Sequence, residues 1–420
     1  MPSMHATVAP AITLAMMPAI AVAQACDPTE IFEPEVRYGV GDFPQSVAIG
    51  DLDGDGDNDL AVASAVTRSV SVSVLRNDGD GTFGERAMYG TGLTPRSVGI
   101  GDLDGDGDAD LAVANFLSDD VSVLLNNGDG SFATQVPYGV GRRPQSVVIG
   151  DLDGDGDADL VVANWRNNSV GVLLNNGDGS FAPHIPYGVG NEPLSVAIGD
   201  LDGDGDADLA VANSADDNVS VLLNDGEVIF TPAVVYAVGD GPQSVAIGDL
   251  DGDGDADLVV ANAGVIEDSV SVLLNTGDGT FATDVRFATG EAPFLVAIGD
   301  LDGDGDADLA VANRSSDDAS VLLNNGDGSF APQVRYGLGN VPVHLAIGDL
   351  DGDGDADLAA ANSGTGTDPG ETVSVLLNRC GSFPCDADLD GDGELTIFDF
   401  LAFQNLFDAG DPIADFDGDG

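Results

Sequence analysis

Aspartate recurs at every second position of a nine-residue run, DLDGDGDAD, that occurs seven times in the chain, with Asn replacing Ala in the first copy. In that copy the acids are Asp51, Asp53, Asp55, Asp57 and Asp59. The second and third hold Asp102, Asp104, Asp106, Asp108, Asp110 and Asp151, Asp153, Asp155, Asp157, Asp159. The fourth and fifth hold Asp200, Asp202, Asp204, Asp206, Asp208 and Asp249, Asp251, Asp253, Asp255, Asp257. The last two hold Asp300, Asp302, Asp304, Asp306, Asp308 and Asp349, Asp351, Asp353, Asp355, Asp357. Carboxylates at positions 1, 3, 5 and 9, glycine at 6 for a sharp turn and a backbone carbonyl at 7 give the oxygen ligand order of an EF-hand loop cut short at its ninth residue. Such a donor set suits a hard cation taking six to eight oxygens. Ca²⁺ fits better than Mg²⁺, which demands a strict octahedron and keeps its waters. Zn²⁺ would find no Cys or His in the runs.

Charge supports the same chemistry. These runs hold 35 of the 74 acidic residues of a chain with formal net charge −62. Two carboxylates about 4 Å apart repel by roughly 4 kcal/mol at an effective dielectric near 20, so the empty loop is strained and a bound cation stabilises it. We expect about seven Ca²⁺ ions here, with a structural role.

The runs start 51, 49, 49, 49, 51 and 49 residues apart, a period at the upper end for propeller blades. In the unit read from Ser146, four short β-branched runs alternate with Gly, Asp and Asn turns, which reads as four hairpin-linked strands. One such sheet buries too little apolar surface to stand alone, so the copies must stack, and radial closure protects their edges. The seventh copy lacks a fourth strand after Phe383, while FEPEVRYGV at residues 32–40 matches the fourth-strand segment FAPQVRYGL at 330–338. The expected fold is therefore all-β, a seven-bladed propeller of four-stranded antiparallel blades over residues 27–383, closed by the N-terminal strand.

The Asp-rich loops, their flanking strands and the count of seven resemble the FG-GAP/VCBS repeat family, the blade type of the integrin α-subunit propeller. The resemblance covers most of the chain. It implies that each loop joins strands 1 and 2 of its blade and holds Ca²⁺ structurally.

Both ends differ from the repeat. Residues 11–25 form an apolar stretch too short to span a bilayer and end in Ala-Gln-Ala, so residues 1–25 read as a secretory signal peptide, although no Lys or Arg precedes the stretch. Secretion or display at the cell surface is expected; lipidation of Cys26 is a poorer reading. The three cysteines suit an exported protein. Aligning the N-terminal strand on its sister copies sets Cys26 opposite Cys380, with Cys385 as a rival partner for either. At the other end, Asp388, Asp390, Asp392, Glu394, Thr396 and Asp399 occupy positions 1, 3, 5, 7, 9 and 12 of an EF-hand-like loop, followed by the amphipathic FLAFQNLF. This small loop-helix segment, residues 386–420, resembles a dockerin module. The resemblance implies one more Ca²⁺ and a cohesin-like partner; the second loop, begun at Asp415, reaches only its sixth position.

In a propeller the 1-2 and 3-4 turns share one face and the 2-3 and 4-1 connections the other. The first pair is nearly invariant among the copies and the second varies, which marks the second face as the candidate ligand surface. The chain has no Lys and twelve Arg. Arg68, Arg96, Arg142, Arg143, Arg166 and Arg314 fall in the variable connections, near Phe116 and the single Trp, Trp165. Arg96, Phe116, Arg142, Arg143, Trp165 and Arg166 are the candidate ligand-binding group, suited to an acidic sugar or another carboxylate. The plainer alternative is that these Arg offset nearby Asp.

No catalytic constellation stands out. His184 and His344 lie in different blades without a shared motif and read as packing or surface residues. The charge argues against nucleic acid as a partner. The favoured reading is a calcium-binding adhesion or recognition module for a glycan or protein. Its rivals are a polysaccharide-active lyase or hydrolase and a structural surface protein without a specific ligand. Two N-glycosylation patterns, at Asn167 and Asn218, decide nothing.

Overall fold

The computed structural model describes residues 31–65, 70–264, 268–365 and 371–380. They form seven four-stranded antiparallel sheets. In blade 1 the strands are Pro44–Gly50, Asp59–Ala65, Val70–Leu75 and Ala87–Gly90, running from the central channel to the rim. The strand sequences follow their depth. Strand 2 is packed on both faces, and every residue of Asp110–Asn115 in blade 2 is buried, which explains an unbroken DLAVAN without polar alternation. Strand 4 lies at the rim, where Val136–Gly139 is mostly exposed.

The ring is closed as the sequence predicts. The seventh sheet has Val36–Gly39 as its outer strand, with Val36 opposite Val375 and Gly39 opposite Thr372. Beyond it Phe32 bridges Asn378, the place that a Phe six residues downstream takes in blade 1, where Asn77 bridges Phe83. The core consists of seven clusters, each drawn from the facing sides of two neighbouring blades. One joins Leu60, Val62 and Leu75 of blade 1 to Leu350, Ala359 and Val373 of blade 7. Rim aromatics repeat the stitch: the Tyr38 ring meets Phe83 edge-on at 5.0 Å, and its hydroxyl donates to the Gly81 carbonyl at 3.1 Å.

Cys380 is buried with Ile31 and Phe32 and is disulfide-bonded. Its partner lies outside the described residues, as do Cys26, Cys385, the expected signal peptide and the whole C-terminal loop with Asp388, Asp390, Asp392, Glu394, Thr396 and Asp399. Among the described residues no helix is long and apolar enough to cross a membrane.

Each blade is entered through a residue in the left-handed region just before the proline of strand 1: Phe43, Thr94, Arg143, Glu192, Ala292 and Val341 have φ of 52 to 59°, and only blade 5 places glycine there, Gly241. The preceding blade holds this corner in place. Asp119 Oδ1 accepts the Arg143 amide at 2.8 Å, and Asp317 Oδ1 accepts that of Val341 at 2.8 Å.

Candidate metal centres and the variable loop face

Every Asp-rich run forms the turn between strands 1 and 2, and its side chains first organise the loop itself. In the first copy Asp51 accepts the Gly54 amide on Oδ1 at 2.7 Å and the Gly56 amide on Oδ2 at 3.1 Å. Asp55 Oδ1 accepts the Asp57 amide at 3.0 Å. Asp59 is buried, accepting the Leu52 amide on Oδ2 at 3.1 Å and the Asn77 amide on Oδ1 at 2.8 Å, which ties the loop to the end of strand 3. The pattern recurs in the seventh copy, where Asp349 accepts Gly352 and Gly354, and Asp357 accepts Leu350 and Asn378.

Three carboxylates then converge. Asp51, Asp53 and Asp59 each bring an oxygen within 4.8 Å of the others. The same holds for Asp102, Asp104 and Asp110, for Asp151, Asp153 and Asp159, for Asp200, Asp202 and Asp208, for Asp249, Asp251 and Asp257, and for two further groups. Positions 5 and 7 stand outside the group. The Asp57 side chain instead faces the 3-4 turn, where a Cβ on Gly79, whose φ is 82°, would come within 2.5 Å of Asp57 Oδ2. That turn therefore requires glycine for both its conformation and its space.

The electrostatics of the groups fit a cation. Asp53 Oδ1 is buried without a hydrogen-bond partner. Burial, opposed by the two backbone amides, pushes the carboxyls of Asp59, Asp110, Asp159, Asp208 and Asp257 up to about 6. It pushes Asp308 and Asp357 up to about 7. Without a positive charge these carboxyls bind a proton more tightly than an ordinary aspartate, and a divalent ion would displace it.

One copy differs. Arg76 comes within 3.6 Å of Asp53 Oδ2 and donates to the Asp129 carbonyl of the next blade at 2.6 Å. The equivalent residue in blade 2 is Leu125, and every other copy also has Leu. The sequence reading missed Arg76 because it lies outside the nine-residue run; the break in an otherwise constant Leu position was the available signal.

A family model described as FG-GAP-like repeat matches residues 51–113, 102–162, 151–211, 200–260, 254–311 and 300–360. The chain belongs to the FG-GAP-like repeat family. No curated protein matches this FG-GAP-like chain. Among solved structures, it is similar to a periplasmic gluconolactonase of Pseudomonas aeruginosa, 18% identical, with a TM-score of 0.57 over 73% of this chain and 88% of that one. It is also similar to a catalytically inactive virginiamycin B lyase from Staphylococcus aureus in complex with quinupristin, 12% identical, with a TM-score of 0.56 over 82% and 99%. At such identities the likeness is one of fold.

On the opposite face, the loops of this FG-GAP-like propeller bring five of the six candidate ligand-binding residues into one stack. The Arg96 guanidinium lies 5.2 Å from the Phe116 ring centre, and Arg143 lies 5.2 Å from Phe116 and 5.3 Å from Trp165. Arg166 covers Trp165 at 4.8 Å, and the two rings are 6.2 Å apart. Cations and rings thus alternate across blades 2 and 3, each cation over a ring face. Arg142 joins through its backbone, its amide donating to Asn167 Oδ1 at 2.6 Å and its carbonyl accepting from Arg166 at 3.1 Å. Arg68 lies outside the described residues. His184 immediately precedes the outer strand of blade 3 and packs against Gly171. His344 belongs to the innermost strand of blade 7 and lines the central channel.

Proposed function

We propose that this FG-GAP-like protein is an exported, calcium-stabilised recognition module whose ligand surface is the variable loop face. The observation that carries the reading is the stack of Arg96, Phe116, Arg143, Trp165 and Arg166 in a chain of net charge −62. Where positive charge is so scarce, three guanidiniums layered on two rings make one cationic, flat and partly apolar surface, suited to an acidic glycan or a carboxylate-bearing protein segment.

In this reading about seven Ca²⁺ ions fill the carboxylate groups on the other face and hold the blades without joining any reaction. The converged oxygens of Asp51, Asp53 and Asp59, with the unpartnered Asp53 Oδ1, support it. The domain limits follow the sequence: a signal peptide at 1–25, the propeller at 27–383 and a dockerin-like module at 386–420, which would take one more Ca²⁺ and a cohesin-like partner.

The test is retention of the mature protein on an array of glycans and polysaccharides, with calcium and with chelator. Saturable binding lost in Trp165→Ala, with the fold intact, is the expected result. Absence of any retention in calcium would leave a structural surface protein, and release of oligosaccharide from a polymer would shift the reading to an enzyme.

A further inference from the structure

The central channel opens on the variable face through a cavity of about 90 Å³. Each blade contributes the residue after its strand-1 proline to the rim, glutamine in three blades as Gln45, Gln145 and Gln243, but arginine in blade 2 as Arg96. One layer deeper, blades 1 to 5 place serine and blade 7 places His344.

Among the described residues no carboxylate lines this cavity. Arg96 donates from one terminal nitrogen to Gln45 Oε1, while its Nε is buried without a hydrogen-bond partner, as is His344 Nδ1. The charged neighbour acting on Arg96 is another cation, Arg314, which lies over the Phe294 ring at 5.7 Å. Burial, with a smaller contribution from Arg314, lowers the Arg96 pKa. Burial also holds His344 neutral, down to about 4, so the imidazole offers a hydrogen bond and no charge. A guanidinium taken out of water without a counter-ion is costly, and 74 acidic residues elsewhere leave it unneutralised among the described residues.

We propose that this channel mouth binds the carboxylate end of a small ligand. One buried cation matches a monoanion, and the planar guanidinium fork matches a carboxylate. The glutamine amides and the His344 nitrogen would take hydroxyls beside the carboxyl. The cavity has room for a carboxylate and a few more heavy atoms, so the rest of the ligand would lie outward, over the stacked Phe116 and Trp165. This inference rests on the recognition reading and narrows it to one pocket and one functional group.

Calorimetry on the calcium-loaded full chain with D-galacturonate, acetate, D-galactose and inorganic phosphate tests it. Galacturonate should bind saturably and galactose should not; acetate binding as tightly as galacturonate would indicate a simple acid, and tighter galacturonate a sugar acid. Arg96→Gln should weaken binding at least tenfold. That variant gives blade 2 the residue blades 1, 3 and 5 already carry, and its melting temperature verifies the fold. Arg314→Gln, at an exposed site, should weaken binding about twofold or more. Equal binding of galactose, tighter binding of phosphate, or unchanged binding by Arg96→Gln overturns the proposal. If a polysaccharide is retained equally by the wild type and Arg96→Gln, recognition stands and this pocket falls. If neither probes nor array bind, both fall.

Discussion

Asn77 and Leu350 are 273 residues apart in sequence, and the side-chain amide of Asn77 donates to the Leu350 carbonyl at 2.6 Å. The same bond joins every neighbouring pair of blades, as in Asn126 to Leu52 at 2.8 Å and Asn378 to Leu301 at 2.9 Å. The closing interface is therefore built like the others. Each of these amides also donates within its own blade, Asn77 to the Asn58 carbonyl and Asn126 to the Ala109 carbonyl. Asn77→Ala and Asn126→Ala would each leave two inward-facing carbonyls without this donor. Each should cost about 2–3 kcal/mol in urea unfolding, since an unsatisfied buried group costs about 1–3. A near-neutral Asn77→Ala beside a costly Asn126→Ala would show that closure contributes little.

Metal removal should lower the melting temperature sharply. At calcium a hundredfold above its Kd, one site adds about 2.7 kcal/mol, and the converged carboxylates provide seven such groups. Scanning calorimetry with and without chelator measures the difference; coincident melting curves would exclude stabilising metal sites.

The first loop should be the weakest site, because Arg76 competes for Asp53 at 3.6 Å. Replacing it with the residue of the other copies, Arg76→Leu, should tighten that site several-fold, read by calorimetric calcium titration as loss of the weakest class. An unchanged isotherm would mean that Arg76 swings clear when the ion binds.

Without metal, the pH dependence should invert the usual acid lability. Asp59 has a folded pKa near 6, above its ordinary 3.8, so it binds its proton more tightly in the folded state. The resulting stability is complete below about 3.8 and is lost as pH rises through about 6. Asp308 and Asp357 extend the window to about 7. The chelated protein should therefore melt higher at pH 5 than at pH 8, and calcium should reverse the order. A chelated protein that melts higher at pH 8 would contradict this.

Val341 is β-branched and has a φ of 57°, where its counterpart in blade 5 is Gly241. Such strain costs about 1–3 kcal/mol. Val341→Gly should recover about 1 kcal/mol after the added flexibility of the unfolded chain is offset, giving a higher urea midpoint. A lower midpoint would mean that packing of the valine outweighs its backbone strain.

The nine-residue run, its period and the match of residues 32–40 to 330–338 were enough to determine blade number, strand order and closure, because strand order follows from spacing within one repeat and the other two from counting and aligning the copies. The glycine at position 6 likewise follows from the local turn, and the resemblance to FG-GAP repeats placed the Asp-rich loop between strands 1 and 2. What the spacing could not rank was the carboxylates themselves. The order expected from an EF-hand loop put carboxylates at positions 1, 3, 5 and 9 and a backbone carbonyl at 7, but folding leaves Asp55 outside the converged group, points the Asp57 side chain at the 3-4 turn and draws Asp59 into the blade interior.

Contacts between blades were decided only by the tertiary structure. Arg96 and Arg143 are 47 residues apart by their numbers, and radial packing sets both on Phe116. Arg76 of blade 1 reaches the Asp129 carbonyl of blade 2 because neighbouring loops crowd the same face. Arg96 and His344 share one cavity because seven inner strands converge on one axis. A repeat sequence encodes each blade through local periodicity and turn geometry. Which side chains of different blades meet depends on the angle and distance between sheets, set by the packing of the seven cores.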